Sequence, residues 1–166
     1  MAIRHKEQRV GVFVDVQNMY YSGRALFNSK VNFKEILTEA VAGRKLLFAR
    51  AYVVKTDVYE KEKVFFQALN DFGYEIQIKD LQIFAGGAKK ADWDIGLAID
   101  AIELSPKLDV VILVSGDGDF VPLVKHLKHA CSCQVEAMAF KKSTSSKLIE
   151  AVDGFVDLSK KKFLMR

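Results

Sequence analysis

The segment VVILVSGDGDFVPLV, residues 110–124, decides the fold of this chain. Its first residues, Val110–Val114, are all apolar and mostly β-branched, which predicts a strand buried on both faces. Residues 115–119 combine serine, glycine and aspartate, a composition typical of a turn. Ligands of open α/β sheets bind beyond the carboxyl ends of the strands, so Asp117 and Asp119 are expected where chemistry takes place.

The same design appears near the start of the chain. In RVGVFVDVQN, residues 9–18, the apolar run Val10–Val14 ends at Asp15. Two strands that we predict to be buried therefore each end in an acid.

Composition predicts one domain. The chain has 166 residues, of which 50% are apolar, enough for a single sizeable core. We expect one domain over residues 1–166, with a core at about 9–158 and basic termini. No apolar run is long enough to cross a bilayer, and we expect a soluble, cytoplasmic protein without a membrane partner.

The charge balance favours a polyanionic partner. The formal net charge is +4 although several acids are expected in one cluster, so the remaining surface must be more basic than this value suggests. RNA is such a partner. The sequence leaves open whether the chain forms a homodimer.

Strand and helix patterns alternate along the chain. Apolar runs predict strands at residues 10–14, 45–54, 74–79, 110–114 and 134–140, and a short closing strand at 155–158. Capping-box spacings, Asn32 with Glu35 and Asp57 with Glu60, begin the first two helices. Further helices are predicted from about 93 to 104, after 119 and from 143–146 onward. We assign no element to residues 18–27, and a loop with a short extended piece at 82–85 to residues 81–90.

Strands joined by such helices must run parallel. We therefore predict an α/β, Rossmann-like, mostly parallel sheet with helices on both faces. Counting only the predicted strands, we favour the order 3-2-1-4-5. This order places Asp15, Asp117 and Asp119 together at the carboxyl edge. Asp92 and Asp94 join them only if the glycine- and lysine-rich loop at 86–90 reaches that edge before the next helix begins.

Clustered carboxylates predict a divalent cation. Like charges at close range are costly, and the usual relief is a hard cation with oxygen ligands, such as Mg²⁺ or Mn²⁺. Such a cation with bound water suits phosphoryl chemistry. The alternative is that Asp117 and Asp119 are only turn formers.

Four segments carry a family resemblance: FVDVQN (13–18), KKADWDIGLAIDA (89–101), SGDGDFVPLV (115–124) and SSKLIEAVDGFVDL (145–158). In this order they resemble the LabA-like group of NYN domains, which are similar to PIN-like nucleases. The resemblance implies a Rossmann-like sheet with an acidic metal site, and a metal-dependent ribonuclease, which is a hydrolase.

The resemblance also implies site residues. They are the metal-binding acids Asp15, Asp94, Asp117 and Asp119, with Asn18 as a polar partner. We align Asp94 because it keeps the family's spacing to Asp100, with Asp92 as its substitute. Asp100 is a secondary candidate, because it does not share a helical face with Asp94.

Further residues have proposed roles at this site. Asn18 or Ser115 could orient a phosphate or a water. The lysines that could follow an RNA backbone are Lys89, Lys90, Lys125, Lys128, Lys141 and Lys142. Tyr20, Tyr21 and Trp93 could stack the bases of an unpaired strand, or be core contacts.

Three other interpretations stay open. A zinc site of His126, His129, Cys131 and Cys133 is disfavoured by its spacing, and we expect reduced thiols. A phosphatase of the haloacid-dehalogenase type needs an Asp-x-Asp at the first strand, where Gln17 stands in place of the second acid. A non-catalytic module of the same fold that binds RNA or a metal is the alternative to a nuclease.

Overall fold

The computed structural model describes residues 2–56, 59–80, 82–83, 89–90 and 93–165, with the backbone alone for residues 59–61, 82–83 and 89–90. The strands are β1 Arg9–Asp15, β2 Lys30–Val31, β3 Lys45–Lys55, β4 Glu75–Asp80, β5 Gln82–Ile83, β6 Lys89–Lys90, β7 Val110–Val114, β8 Gln134–Ala139, β9 Gly154–Asp157 and β10 Leu164–Met165. The helices are α1 Val16–Phe27, α2 Phe33–Val41, α3 Tyr59–Phe72, α4 Asp94–Leu104, α5 Val121–His129 and α6 Ser146–Ala151.

Six strands form one sheet in the order β4-β3-β1-β7-β8-β9. Every pairing within it is parallel. The predicted α/β class and strand order are thus confirmed, since the predicted strands one to five are β1, β3, β4, β7 and β8. The closing strand is also present, as β9 on the edge beside β8.

Helices pack on both faces of the sheet. Helices α1, α2 and α3 cover one face, where Met19, Ile36 and Leu69 are buried. Helices α4, α5 and α6 cover the other, where Leu97, Leu127 and Leu148 are buried. The buried runs of the two central strands, Val10–Val14 and Val110–Val114, contain no polar side chain because successive side chains enter opposite core layers.

Helix α1 is an element that the sequence did not predict. Its buried positions, Val16, Met19 and Gly23, recur at helical spacing, but a glycine gives no apolar signal. A Cβ on Gly23 would lie 2.8 Å from the Val31 side chain, so the glycine permits close packing of α1 on β2. Packing rather than apolar periodicity therefore places this helix.

The predicted helix starts have mixed outcomes. Asn32 caps α2 by accepting a hydrogen bond from the Glu35 N–H at 3.1 Å. In a capping box the Glu35 carboxylate would accept a hydrogen bond from the Asn32 N–H. Here the Asn32 N–H donates instead to the Phe163 carbonyl at 2.8 Å. The proposed cap Asp57 lies outside the described residues. Within the predicted loop, β5 and β6 form a short antiparallel pair.

The amino edge of the sheet carries a buried ion pair. Arg44 on the α2–β3 connection contacts Glu136 of β8 at 2.8 Å, and both side chains are almost fully buried. Arg44 also donates to the Ala40 and Val41 carbonyls. No helix of the described residues is long and apolar enough to cross a membrane.

Candidate metal centre

The site begins where β1 and β7 leave the sheet side by side. Val14 pairs with Val114, so Asp15 and Ser115 emerge next to each other at the carboxyl edge. Asp15 Oδ1 accepts a hydrogen bond from the Asn18 N–H at 3.2 Å and caps α1. Asp15 Oδ2 accepts from the Ser115 hydroxyl at 3.3 Å. The carboxylate of Asp15 is therefore held at the junction of the two strands.

The turn after β7 is held by its own side chains. Ser115 is fully buried, and its Oγ accepts from the Asp117 N–H at 3.2 Å. Asp117 Oδ1 accepts from the Asp119 N–H at 2.9 Å and caps a short 3-10 helix at residues 118–120. One carboxylate oxygen of Asp117 therefore stabilises the turn. No described group donates a hydrogen bond to its second carboxylate oxygen.

Asp94 completes a cluster of three carboxylates. As the first residue of α4 it lies at the carboxyl edge of the main sheet, because α4 connects the parallel strands β4 and β7 and such a helix begins at the edge where β4 ends. One carboxylate oxygen from each of Asp94, Asp117 and Asp119 lies within 4.8 Å of the other two. Of the alternatives that the sequence left open for this helix, the structure shows the one that brings Asp94 to the other acids.

The chemistry of this cluster fits a hard divalent cation. All three candidate ligand atoms are carboxylate oxygens, which Mg²⁺ and Mn²⁺ prefer. Asp94 and Asp117 are half-buried and Asp119 is exposed, so the cluster is open to solvent. Within the described part of the chain, no other group of three or more His, Cys, Asp or Glu residues has this arrangement.

Asn18 has a fixed orientation beside the acids. Its Oδ1 accepts a hydrogen bond from the Gly116 N–H at 3.0 Å, which determines which end of the amide faces the turn. The side-chain NH₂ therefore points away from Gly116, and no described residue accepts a hydrogen bond from it. Asn18 can thus present a donor to a ligand at the site.

A pocket of about 370 Å³ contains these groups. Asp15 lies in its wall with the clustered acids, although the group of mutually close oxygens does not include it. The full lining is Asp15, Gln17, Asn18, Tyr21, Ser22, Asp94, Asp117 and Asp119.

Gln17 and Ser22 were not identified from the sequence as part of this pocket. Both lie on α1, which was not predicted. A helix that begins after Asp15 carries residues 18 and 22 on one face, with 17 and 21 beside them. Recognising Asp15 as a helix cap would have located them.

The secondary metal candidates lie elsewhere or are not described. Asp100 lies outside the cluster: its carboxylate accepts from the Tyr52 hydroxyl at 2.7 Å and is 3.2 Å from Arg50. Burial and the Asp100 carboxylate raise the pKa of Tyr52, which keeps this donor protonated. Asp92 lies outside the described residues.

The candidate lysines are placed unevenly. Lys141 and Lys142 are exposed and follow β8 at the carboxyl edge. Lys125 is exposed on α5. Lys128 is bound to the Ala151 carbonyl and to Asp153, which gives it a structural contact. The side chains of Lys89 and Lys90 lie outside the described atoms.

The aromatic candidates also divide. The Trp93 indole N–H donates to the Val53 carbonyl at 2.8 Å, and its ring packs edge-on against Tyr52, so this residue is a packing contact. Tyr21 is 60% exposed and lines the acidic pocket. Tyr20 accepts a hydrogen bond from Arg24 at 2.7 Å on the outer side of α1.

The histidines and cysteines do not form a described cluster. Cys133 is buried, and its thiol donates to backbone carbonyls of Ser105 and Leu108. Burial raises the pKa of the Cys133 thiol to about 11, so it stays protonated at neutral pH. A protonated thiol is a poor metal ligand.

Comparisons with known proteins match nearly the whole chain. A family model described as "NYN domain" matches residues 9–159. "Low amplitude and bright protein LabA" of Synechococcus elongatus is 25% identical over an alignment of 169 residues with gaps, which covers 93% of this chain and 86% of that protein. The crystal structure of a protein of unknown function from Vibrio parahaemolyticus superposes with a TM-score of 0.89 and 33% identity, covering 99% of this chain and 100% of that one.

Proposed function

The chain belongs to the NYN domain family, and from this membership and its acidic site we propose a metal-dependent endoribonuclease that hydrolyses phosphodiester bonds in single-stranded RNA. The observation that carries the proposal is the convergence of Asp94, Asp117 and Asp119 at the carboxyl edge of the sheet. These residues come from two separate segments of the chain, which a turn-forming role for Asp117 and Asp119 does not explain.

The clustered acids provide the place for a cation. Asp94, Asp117 and Asp119, with Asp15 in the wall of the same pocket, would hold Mg²⁺ or Mn²⁺. When bound, such a cation polarises a phosphoryl oxygen and lowers the pKa of a bound water.

The surrounding residues orient the acids and the substrate. Ser115 is buried between Asp15 and the Asp117 N–H, so we assign it a positioning role rather than contact with a phosphate or water. Asn18 is the better candidate for that contact, because its NH₂ points away from the Gly116 N–H that fixes it. This NH₂ would donate to a phosphate oxygen of the substrate.

Charge at the same edge favours a nucleic-acid backbone. Lys141 and Lys142 lie directly before the segment whose Ser145 N–H donates to the Gly116 carbonyl at 3.1 Å. They thus flank the turn that carries Asp117. Lysines that contact phosphates contribute binding energy without sequence specificity.

The proposal is tested by cleavage of labelled single-stranded RNA. We expect cleavage by the wild type in Mn²⁺ or Mg²⁺, none after chelation, and a loss of at least about a hundredfold in Asp15→Asn and Asp117→Asn. Asp71→Asn is the matched control, because Asp71 is exposed on α3 and bonds only Gln67 among the contacts described. Equal cleavage by all variants would indicate a contaminant. No cleavage by the wild type would favour the non-catalytic module.

A further inference from the structure

An apolar groove opens directly beside the acidic pocket. It lies between α4 and α5 and encloses about 560 Å³. Its walls are Ile95, Ala98 and Ile102 of α4 and Pro122, Leu123 and His126 of α5. Asp94 and Asp119 line both the groove and the acidic pocket, so the two cavities are neighbours that share these residues.

The groove exposes large apolar side chains to solvent. Ile95 is 75% exposed and Ile102 is 37% exposed. A concave, mostly apolar cavity with a few polar groups at its edge is the usual form of a small-ligand site. The shared acids indicate which ligand suits the groove, because a molecule that reaches across them would have an anionic part at the acid-held cation and an apolar part in the groove.

We propose that this groove binds an unpaired nucleobase of the nucleotide whose phosphate lies at the acidic site. The inference rests on the proposed function. A nucleobase has apolar faces and polar edges, so Ile95, Ile102 and Pro122 would contact a face and His126 would reach an edge. A paired base is stacked inside a duplex and cannot enter, so the groove selects single strands.

The outer wall of the groove, on α5, suits the RNA chain that continues beyond the bound nucleotide. Residues 122, 125, 126 and 129 share one face of α5 by helical periodicity. Lys125 and His129 are exposed on this face and lie farther from the amino terminus of α5 than the groove-lining Pro122. They would meet the next phosphate of a strand whose base fills the groove.

The test is a cycle that combines protein variants with substrates lacking one base. Binding is measured by fluorescence anisotropy in Ca²⁺, for a short oligoribonucleotide and for copies with a single abasic position at each site in turn. The proteins are wild type, Ile95→Ala/Ile102→Ala, and the matched control Ile99→Ala. Ile99 is 49% exposed on the same helix and does not line the groove. Thermal melts verify that each variant is folded.

We expect one abasic position to weaken wild-type binding about tenfold. The double variant should bind the intact strand about tenfold more weakly and show less than about a twofold further loss at that abasic position. Ile99→Ala should behave as wild type. Equal abasic losses in wild type and double variant would place the base elsewhere, for example on Tyr21, and overturn the proposal.

Two further readouts separate the alternatives. If sedimentation shows a wild-type dimer that the double variant converts to monomer, the groove is covered by a second copy and the proposal is overturned. Cleavage is measured separately in Mn²⁺. Base-dependent binding without cleavage would support the groove proposal and contradict the proposed nuclease. Cleavage without the predicted coupling between the groove residues and the missing base would support the nuclease and contradict the groove proposal. If the wild type neither binds nor cleaves the RNA, both proposals are contradicted.

Discussion

The aspartates of the site differ in the hydrogen bonds that they make within the protein. Asp15 caps α1 and Asp117 caps the 3-10 helix that follows β7, so each has a structural contact as well as a place in the pocket. Asp119 is exposed, and no contact involving its carboxylate is described. A substitution that keeps the capping oxygen but removes the charge separates the two contributions. Asparagine does this, because it is as good a cap as aspartate.

Asp117→Asn is expected to leave the metal-free protein at least as stable as wild type, since it removes one of three mutually repelling charges. Mn²⁺ at a hundred times its Kd should stabilise the wild type by about 2.7 kcal/mol, which for this size raises Tm by roughly 5–10 °C. The variant should lose most of this shift. Thermal melts with and without Mn²⁺ measure both effects.

Asp71→Asn serves as the control in these melts and should keep the full shift. A metal-free Asp117→Asn protein that is markedly less stable than wild type would show that Asp117 is chiefly a turn residue.

At the scale of elements, the strands were predictable and helix α1 was not. Strands β1 and β7 each contain a run of five residues without a polar side chain, Val10–Val14 and Val110–Val114, which is too short for a typical helix. Helix α1 lacks a continuous apolar stripe, since Gly23 occupies one of its buried positions. The helix begins after Asp15, which caps it. From the sequence we predict only a metal-binding role for Asp15.

The turn after β7 is packed tightly against the segment before α6. A Cβ on Gly118 would lie 2.8 Å from Ser145 Oγ and 2.9 Å from Ser145 Cβ. Gly118→Ala should therefore destabilise the protein by about 1–3 kcal/mol and weaken Mn²⁺ binding, because the turn must shift. Urea unfolding and Mn²⁺ titration measure these changes.

Ser145→Gly provides the matching rescue. The Ser145 side chain makes no capping hydrogen bond to α6, so this substitution alone should cost only a few tenths of a kcal/mol. Combined with Gly118→Ala it should restore most of the stability and metal binding. If the double variant is as unstable as Gly118→Ala alone, contact with Ser145 is not the cause.

At the scale of the whole molecule, the clustered acids and a buried ion pair lie toward opposite edges of the sheet. The carboxyl edge gathers the acids, and the amino edge carries the buried Arg44–Glu136 pair. The strand order predicted from the sequence placed Asp15 and Asp117 at one edge. The same parallel topology also places Asp94 there, because a helix that crosses from β4 to β7 begins at the carboxyl edge whatever the path of the residues at 86–90.

Glu136→Gln should destabilise the protein by about 3 kcal/mol, because it leaves the Arg44 charge buried without its counterion. Metal binding per folded molecule should not change, since Glu136 lies toward the amino end of β8 and the acids lie at the carboxyl edge of the sheet. Urea unfolding and Mn²⁺ titration test this separation.

Glu39→Gln is the matched control for that change. Glu39 contacts Lys162 at 3.1 Å in a partly exposed pair, so its loss should cost less than about 1 kcal/mol. Equal losses in the two variants would contradict a special role for the buried pair.

The central claim, a cation held by the clustered acids that supports RNA hydrolysis, is tested most directly by the Mn²⁺ dependence of the cleavage rate. We compare wild type with Asp119→Asn, because the exposed Asp119 side chain can be changed without removing a described contact. We predict that the wild-type rate rises with Mn²⁺ and saturates, and that Asp119→Asn needs at least about tenfold more Mn²⁺ and reaches a rate at least about a hundredfold lower. Identical curves for the two proteins, or cleavage that persists in chelator, would contradict the claim.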